Sequence, residues 1–283
     1  MEKKITRPII AVLVGLAVLV GGSIFLLQEG DAQNIPYTGP PKALIIDQLN
    51  EEMPNEIFLK KATQYLEYAG YTVDIVKTQD ITVDFYKELP KMNYKYVVIR
   101  THGADSTDDV VLFTGERYSE ELYIQEQLFG QVKKATPLLE VSYKVELEDG
   151  SFSGWIKVND TTMMLTTPAK PEITAKNEFF AVGKEFVDKA MDGKFDDTVF
   201  LLGGCNTMVQ PTLANSLIDK GASMVLGWDN TVGSYDNDNA LLIFLKDTLV
   251  DGLKIDESLK NVKMAHDPER MAYPASLIYI QEQ

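Results

Sequence analysis

Two residue types able to serve as nucleophile and base stand at matching places in the 283-residue sequence. His102 comes two residues after the apolar run Tyr96-Val97-Val98-Ile99-Arg100. Cys205, the one cysteine of the chain, follows Thr198-Val199-Phe200-Leu201-Leu202 and two glycines. A thiol beside an imidazole is an activated nucleophile that attacks a carbonyl carbon, and the imidazole then passes the proton to the leaving amine. Gly103, Gly203 and Gly204 flank the pair. Without side chains there, a substrate carbonyl can approach the backbone, and the N–H groups of Gly103 and Cys205 are candidate oxyanion-hole donors. Taken singly, a cysteine is most often a small buried hydrophobe and a histidine an ordinary core or surface residue. The shared position, in a Gly-rich turn just past an apolar run, makes the two a candidate dyad.

For the pair to meet, the two runs must be neighbouring strands. Ala43 to Asp47, Thr72 to Val76, Tyr96 to Arg100, Thr198 to Leu202, Ser223 to Leu226 and Leu277 to Ile280 read as strands. Between them, Phe58, Ala62, Tyr65, Leu66 and Ala69 recur at helical spacing before Gly70. Segment 81–89 reads as a short helix or turn, and 177–192 can form a helix. Pro211 to Lys220 reads as a helix ended by Gly221, and Leu241, Leu245 and Leu249 mark another, capped by Asp236 or Asp238. Ile255 to Ala265 is the last helix. Strands alternating with helices predict an α/β fold with a mostly parallel sheet, whose ligands sit at the carboxyl ends of the strands. Residues from about 105 to 175 break the rhythm and read as a β-rich insertion, with a hairpin turn at Glu148-Asp149-Gly150-Ser151.

Composition narrows the function classes. A single Cys excludes an intrachain disulfide and Cys-based zinc or iron–sulfur sites, and two His leave little for other transition metals. The net charge of −15 opposes nucleic-acid binding. No GxxxxGK[ST] or HExxH motif is present. Asp105, Asp108 and Asp109 lack EF-hand spacing and read as a solvated loop, so no metal is expected. Residues 8–27 carry no charge, and as a helix they span about 30 Å, the thickness of a bilayer core. Lys3, Lys4 and Arg7 precede them. Residues 1–30 therefore read as an uncleaved single-pass anchor with a cytoplasmic N-terminus, 31–42 as a spacer, and 43–283 as an extracytoplasmic domain. A cleaved signal peptide is the competing reading.

The pieces IRTHG (99–103), LLGGCNT (201–207), LANSLIDKGASMVLGWDN (213–230) and YDNDNALLIFLKDTLVDG (235–252) stand in the order of a known superfamily. In that order and spacing the chain resembles the caspase–gingipain–clostripain–separase cysteine peptidases, closest to the CHAT or separase-like branch, over roughly 43–104 and 196–265. The resemblance implies a caspase-like α/β domain, a Cys205–His102 dyad, Gly103 in the oxyanion hole and no cofactor. It also implies a peptide or protein substrate, with Asp229, Asp236 and Asp238 as candidates to hold a P1 Arg or Lys through charge-assisted bonds. Lys133, Lys134 and Lys144 are candidate self-cleavage positions on the same analogy. Gly204 departs from the acidic or small residue common before the Cys.

Two other readings remain open. LLGGCNTMVQ superficially resembles the nucleophile turn of class I glutamine amidotransferases, with His266 and Glu269 in the places of that family's downstream partners. There, however, Gly follows the Cys, where this chain has Asn206. A non-catalytic, anchored binding domain fits the acidity and the insertion equally well.

Overall fold

The inner strands are apolar at nearly every position, as a sheet covered on both faces requires. The computed structural model describes residues 39–106, 109–136, 141–146, 152–158, 161–167, 178–265 and 274–282. Numbered along the chain, strands β1 (Lys42–Asp47), β2 (Thr72–Lys77), β3 (Tyr94–Arg100), β11 (Thr198–Gly203), β12 (Ala222–Trp228) and β13 (Leu277–Gln281) form one six-stranded sheet in the order β13-β12-β11-β3-β1-β2. The pairs β1–β2, β1–β3, β3–β11 and β11–β12 are parallel; β13 is antiparallel to β12 at the edge. The fold is α/β, with a mostly parallel sheet flanked by helices.

Alternate residues of each strand enter opposite core layers, the period-2 consequence of the pleat. On one face Ala43, Ile45, Tyr96, Val98, Leu201, Leu226 and Trp228 pack with Phe58, Leu59, Ala62 and Leu66 of α1 (Glu56–Tyr68). The same layer takes Ala240, Leu241, Phe244 and Leu245 of α6 (Ser234–Leu245) and Val262 of α7 (Ile255–Ala265). On the other face Leu44, Ile46, Val97, Ile99, Phe200, Leu202 and Val225 meet three more helices. These are α2 (Val83–Glu88), α4 (Lys184–Lys189) and α5 (Thr212–Asp219). Each large side chain removed from water there contributes about 1.5–3 kcal/mol. The Asn55 side chain caps α1 by accepting from Phe58 N at 3.0 Å, and Thr82 caps α2 in the same way through Phe85 N.

The region predicted as an insertion divides in two. Strands β4 (Gly103–Ser106), β5 (Asp109–Arg117), β6 (Val132–Ala135) and β10 (Phe179–Val182) make a four-stranded sheet in the order β4-β5-β10-β6, and α3 (Ile124–Leu128) lies between β5 and β6 in the chain. Strands β7 (Val141–Glu146), β8 (Phe152–Val158) and β9 (Thr161–Thr167) form an antiparallel meander of their own. Glu146 pairs with Phe152 on either side of the predicted turn, which itself lies outside the described residues.

Three expectations need correction. The 177–192 helix is a strand followed by a short helix. Phe179, Phe180, Ala181 and Val182 are all buried, and the strand pairs β5 on one side and β6 on the other. Gly183 marks the break, because a Cβ there would come within 2.4 Å of Asp109 Oδ2. Helix α6 starts at Gly233 without a side-chain cap, so neither Asp236 nor Asp238 caps it. Lys133 and Lys134 lie within the paired strand β6, with Lys133 held by the buried Asp109 carboxylate at 2.7 Å, so neither sits in an open loop where a protease needs its substrate. The side chain of Lys144 lies outside the described residues, as does the 8–27 run. Among the described residues no helix is long and apolar enough to cross a membrane.

Gly221 ends α5 with φ +104, and a Cβ there would lie 2.3 Å from the Phe195 carbonyl oxygen. Gly252 has φ +68 but open space around it. Alanine at either site meets the left-handed strain of roughly 1–2 kcal/mol. Only Gly221→Ala adds a backbone clash. Urea unfolding should show a clearly lower midpoint for Gly221→Ala than for Gly252→Ala.

Candidate active site

The site follows from how β3 and β11 end. Their register pairs Arg100 with Gly203, and one residue further on Thr101 N donates to the Gly203 carbonyl at 2.9 Å. The two tips therefore stop level, with His102 and Cys205 two residues past the Arg100–Gly203 pair. The chains beyond them touch. A Cβ on Gly103 would lie 2.2 Å from the Cys205 carbonyl oxygen, and one on Gly204 would lie 2.6 Å from the Thr101 carbonyl oxygen. Here the absence of a side chain permits a backbone-to-backbone approach that no other residue allows.

The Cys205 turn is fixed from below and from the side. Thr207 Oγ1, fully buried, donates to the Leu202 carbonyl at 3.0 Å and accepts from Trp228 N at 3.0 Å. Asn206 adopts a left-handed φ of 59, and its Nδ2 donates to Asp105 Oδ1 at 2.7 Å, which ties the turn to β4. Cys205 is partly buried against the α1/α6 core layer, and its thiol lies 3.3 Å from the Val232 carbonyl oxygen, in the loop that leads into α6.

The His102 turn is held by the segment that follows β1. Gln48, buried, accepts through Oε1 from His102 N at 3.0 Å and from Thr101 Oγ1 at 3.2 Å. The His102 ring packs at 5.7 Å from the Phe113 ring, and its Nε2 pairs with Glu52 Oε2 at 2.8 Å. Glu52 sits in the turn that leads into α1. The imidazole and the thiol are thus each partnered from loops that enter α1 and α6, two helices packed together on one face of the sheet. The hydrogen bond from His102 is the main reason the Glu52 carboxyl lies below the usual carboxylate range; partial burial works against it. With Nε2–H donating to Glu52, the neutral ring presents Nδ1 as its acceptor.

Glu52 is the residue that sequence reading misses. It lies in a polar stretch, Asn50-Glu51-Glu52-Met53, with no periodicity to single it out. Its nearness to His102 arises only because β1 and β3 are adjacent.

The three aspartates assigned to a P1 pocket fare differently. Asp238 is buried inside α6. Its Oδ1 accepts from Arg100 Nε at 2.8 Å and its Oδ2 from Asn55 Nδ2 at 2.7 Å, so it is committed to an internal ion pair rather than an open pocket. Asp229 Oδ1 accepts from Ser276 N at 2.7 Å and fixes the turn before β13. Asp236 is half-buried in the first turn of α6. Of the acidic loop, Asp105 bonds Asn206, while buried Asp109 takes Val110 N, Lys184 N and Lys133. Asp108 lies outside the described residues, as do His266 and Glu269. Among the described residues no cluster of three or more His, Cys, Asp or Glu is placed to hold a metal ion.

No family model matches the chain, and no curated protein matches it.

Two outcomes follow from this geometry. Gly103→Ala should destabilise the fold and displace the Cys205 carbonyl, seen as a lowered unfolding midpoint together with an altered thiol alkylation rate. Glu52→Gln removes a carboxylate whose proton affinity is lowered by folding. The stabilisation it supplies is present above the ordinary carboxylate value of about 4.3 and is lost as pH falls through the depressed folded value. Wild type should therefore be more stable than Glu52→Gln at pH 6, and the two should converge toward pH 3 in denaturant titrations.

Proposed function

We propose that this chain is a cysteine endopeptidase of the caspase-like type, tethered to a membrane by residues 8–27 with its α/β domain on the extracytoplasmic side. The observation that carries the reading is the level ending of β3 and β11. It sets the backbones of the His102-Gly103 and Gly204-Cys205 turns against one another, and Glu52 holds the imidazole. In this reading Nδ1 of His102 takes the proton from the Cys205 thiol, and the thiolate attacks the scissile carbonyl. The C–N bond breaks as the imidazolium gives that proton to the leaving amine, and water then hydrolyses the thioester with His102 as base. Glu52 keeps the ring in the tautomer that makes Nδ1 the base and stabilises the imidazolium, as an orienting carboxylate does in other nucleophile–histidine sites. The N–H groups of Gly103 and Cys205 are assigned to the carbonyl oxygen as charge develops on it.

The substrate is a peptide or protein. Asp238 is bound to Arg100 and Asp229 to Ser276; a preference for Arg or Lys at P1, with Asp236 in the first turn of α6 as candidate, rests on the family resemblance. No cofactor takes part in these steps. All three lysines lie within paired strands, Lys133 and Lys134 in β6 and Lys144 in β7, so self-processing at any of them would require its strand to detach first.

A panel of peptidyl acyloxymethyl ketones with Arg, Lys, Leu or Asp at P1, applied under reducing conditions, tests the reading. The expected result is covalent labelling of Cys205, fastest with Arg or Lys, absent in Cys205→Ala and slowed by roughly 10²–10⁴-fold in His102→Ala. Labelling that is equally fast in His102→Ala, or absent with every P1 side chain, contradicts it.

A further inference from the structure

Beneath the two turns lies a buried charge cluster that the proposed chemistry does not use. Arg100 and Asp47 are each 1% exposed or less, and Asp238 is 2% exposed. Arg100 spends its guanidinium on three separate pieces of chain. Nη1 donates to Asp47 Oδ1 at 2.8 Å at the end of β1, Nη2 to the Met53 carbonyl at 2.6 Å beside Glu52, and Nε to Asp238 Oδ1 at 2.8 Å in α6. Asn55, the cap of α1, reaches across to Asp238 Oδ2 at 2.7 Å. Asn237 donates to Asp238 Oδ1 at 3.2 Å and accepts from Trp228 Nε1 at 2.9 Å, at the end of β12.

The segments that bring Glu52 to the imidazole and the Val232 carbonyl to the thiol are therefore both bonded to this one guanidinium. The Met53 carbonyl is adjacent to Glu52, which holds the imidazole. Asp238 stands in the helix entered by the loop that carries the Val232 carbonyl at the thiol. Arg100 itself is two residues before His102. A planar, multi-pronged guanidinium suits this work, because its donors leave in fixed directions; a lysine ammonium fixes none.

We infer that Arg100 is a positioning residue for the Cys205–His102 pair, locking the entrance of α1 to the entrance of α6 so that thiol and imidazole keep their mutual geometry. This rests on the peptidase reading and adds a residue that acts through the others without touching substrate. It makes two variants informative. Arg100→Lys keeps the charge and loses the fork; Asp238→Asn keeps the shape and weakens the α6 end of the clamp. Val187→Ala, buried in the core layer on the other face of the sheet, serves as a control for loss of stability alone.

The readout is the pH dependence of Cys205 alkylation by iodoacetamide on the full chain, alongside unfolding midpoints. In wild type the profile should show a thiol depressed below the ordinary value of about 8.5. In Arg100→Lys and Asp238→Asn the profile should move up toward that value, with the rate at pH 6.5 falling roughly ten- to a hundredfold, as small misplacements of reacting groups do. Val187→Ala should leave the profile in place. If wild type is depressed but both cluster variants keep its profile, the dyad stands and the positioning role of Arg100 is overturned. If wild type itself titrates as an ordinary thiol and His102→Ala changes nothing, the peptidase reading fails and takes this inference with it. Should Arg100→Lys not fold, Asp238→Asn alone decides.

Discussion

The hydrogen bond from Thr101 N to the Gly203 carbonyl is the constraint on which the arrangement depends. Parallel pairing alone brings β3 beside β11; this last bond makes the two strands end together rather than staggered. A one-residue slip of β3 against β11 would turn the side chains of the slipped strand to the other face of the sheet, and His102 and Cys205 would no longer stand two residues past a common pair. The glycines at 103 and 204 complete the constraint, since any Cβ there collides with a backbone carbonyl and forces the turns apart.

The buried cluster shows what holding that geometry costs. Moving Asp47, Arg100 and Asp238 out of water costs several kcal/mol per charge, and the pairs offset this only because the hydrogen bonds are nearly all made. Asp47 shows the strain. Burial, opposed by the Arg100 charge, leaves its carboxyl above the usual range, and its second oxygen has no partner among the described residues. Apolar residues of similar size are often as stable at such places. The directional bonds to Met53, Asp47 and Asp238 supply what apolar packing cannot, a fixed orientation between three loops.

Much of the fold is written in local patterns. The buried strands are short, nearly continuous apolar runs, and the helices between them carry their apolar residues at 3-and-4 spacing, so their type and order can be read directly. The nearness of the His102 and Cys205 turns was legible for the same reason, since both residues follow such runs. What failed depended on partners far away in sequence. Phe179 to Val182 looks helical until β5 and β6 flank it. Asp238 looks like a surface acid at a helix start until Arg100, on a strand far earlier in the chain, is found beneath it. Glu52 has no local signature at all, and its role exists only through the adjacency of β1 and β3.

The proposed sharing of a proton between Cys205 and His102 is tested most directly by the imidazole itself. NMR titration of His102, assigned by comparison with His266→Ala, should be made on the reduced protein and after Cys205 is capped as a methyl disulfide. A thiolate beside the ring favours the imidazolium, so capping should lower the His102 pKa. A His102 titration that is the same before and after capping would contradict the dyad.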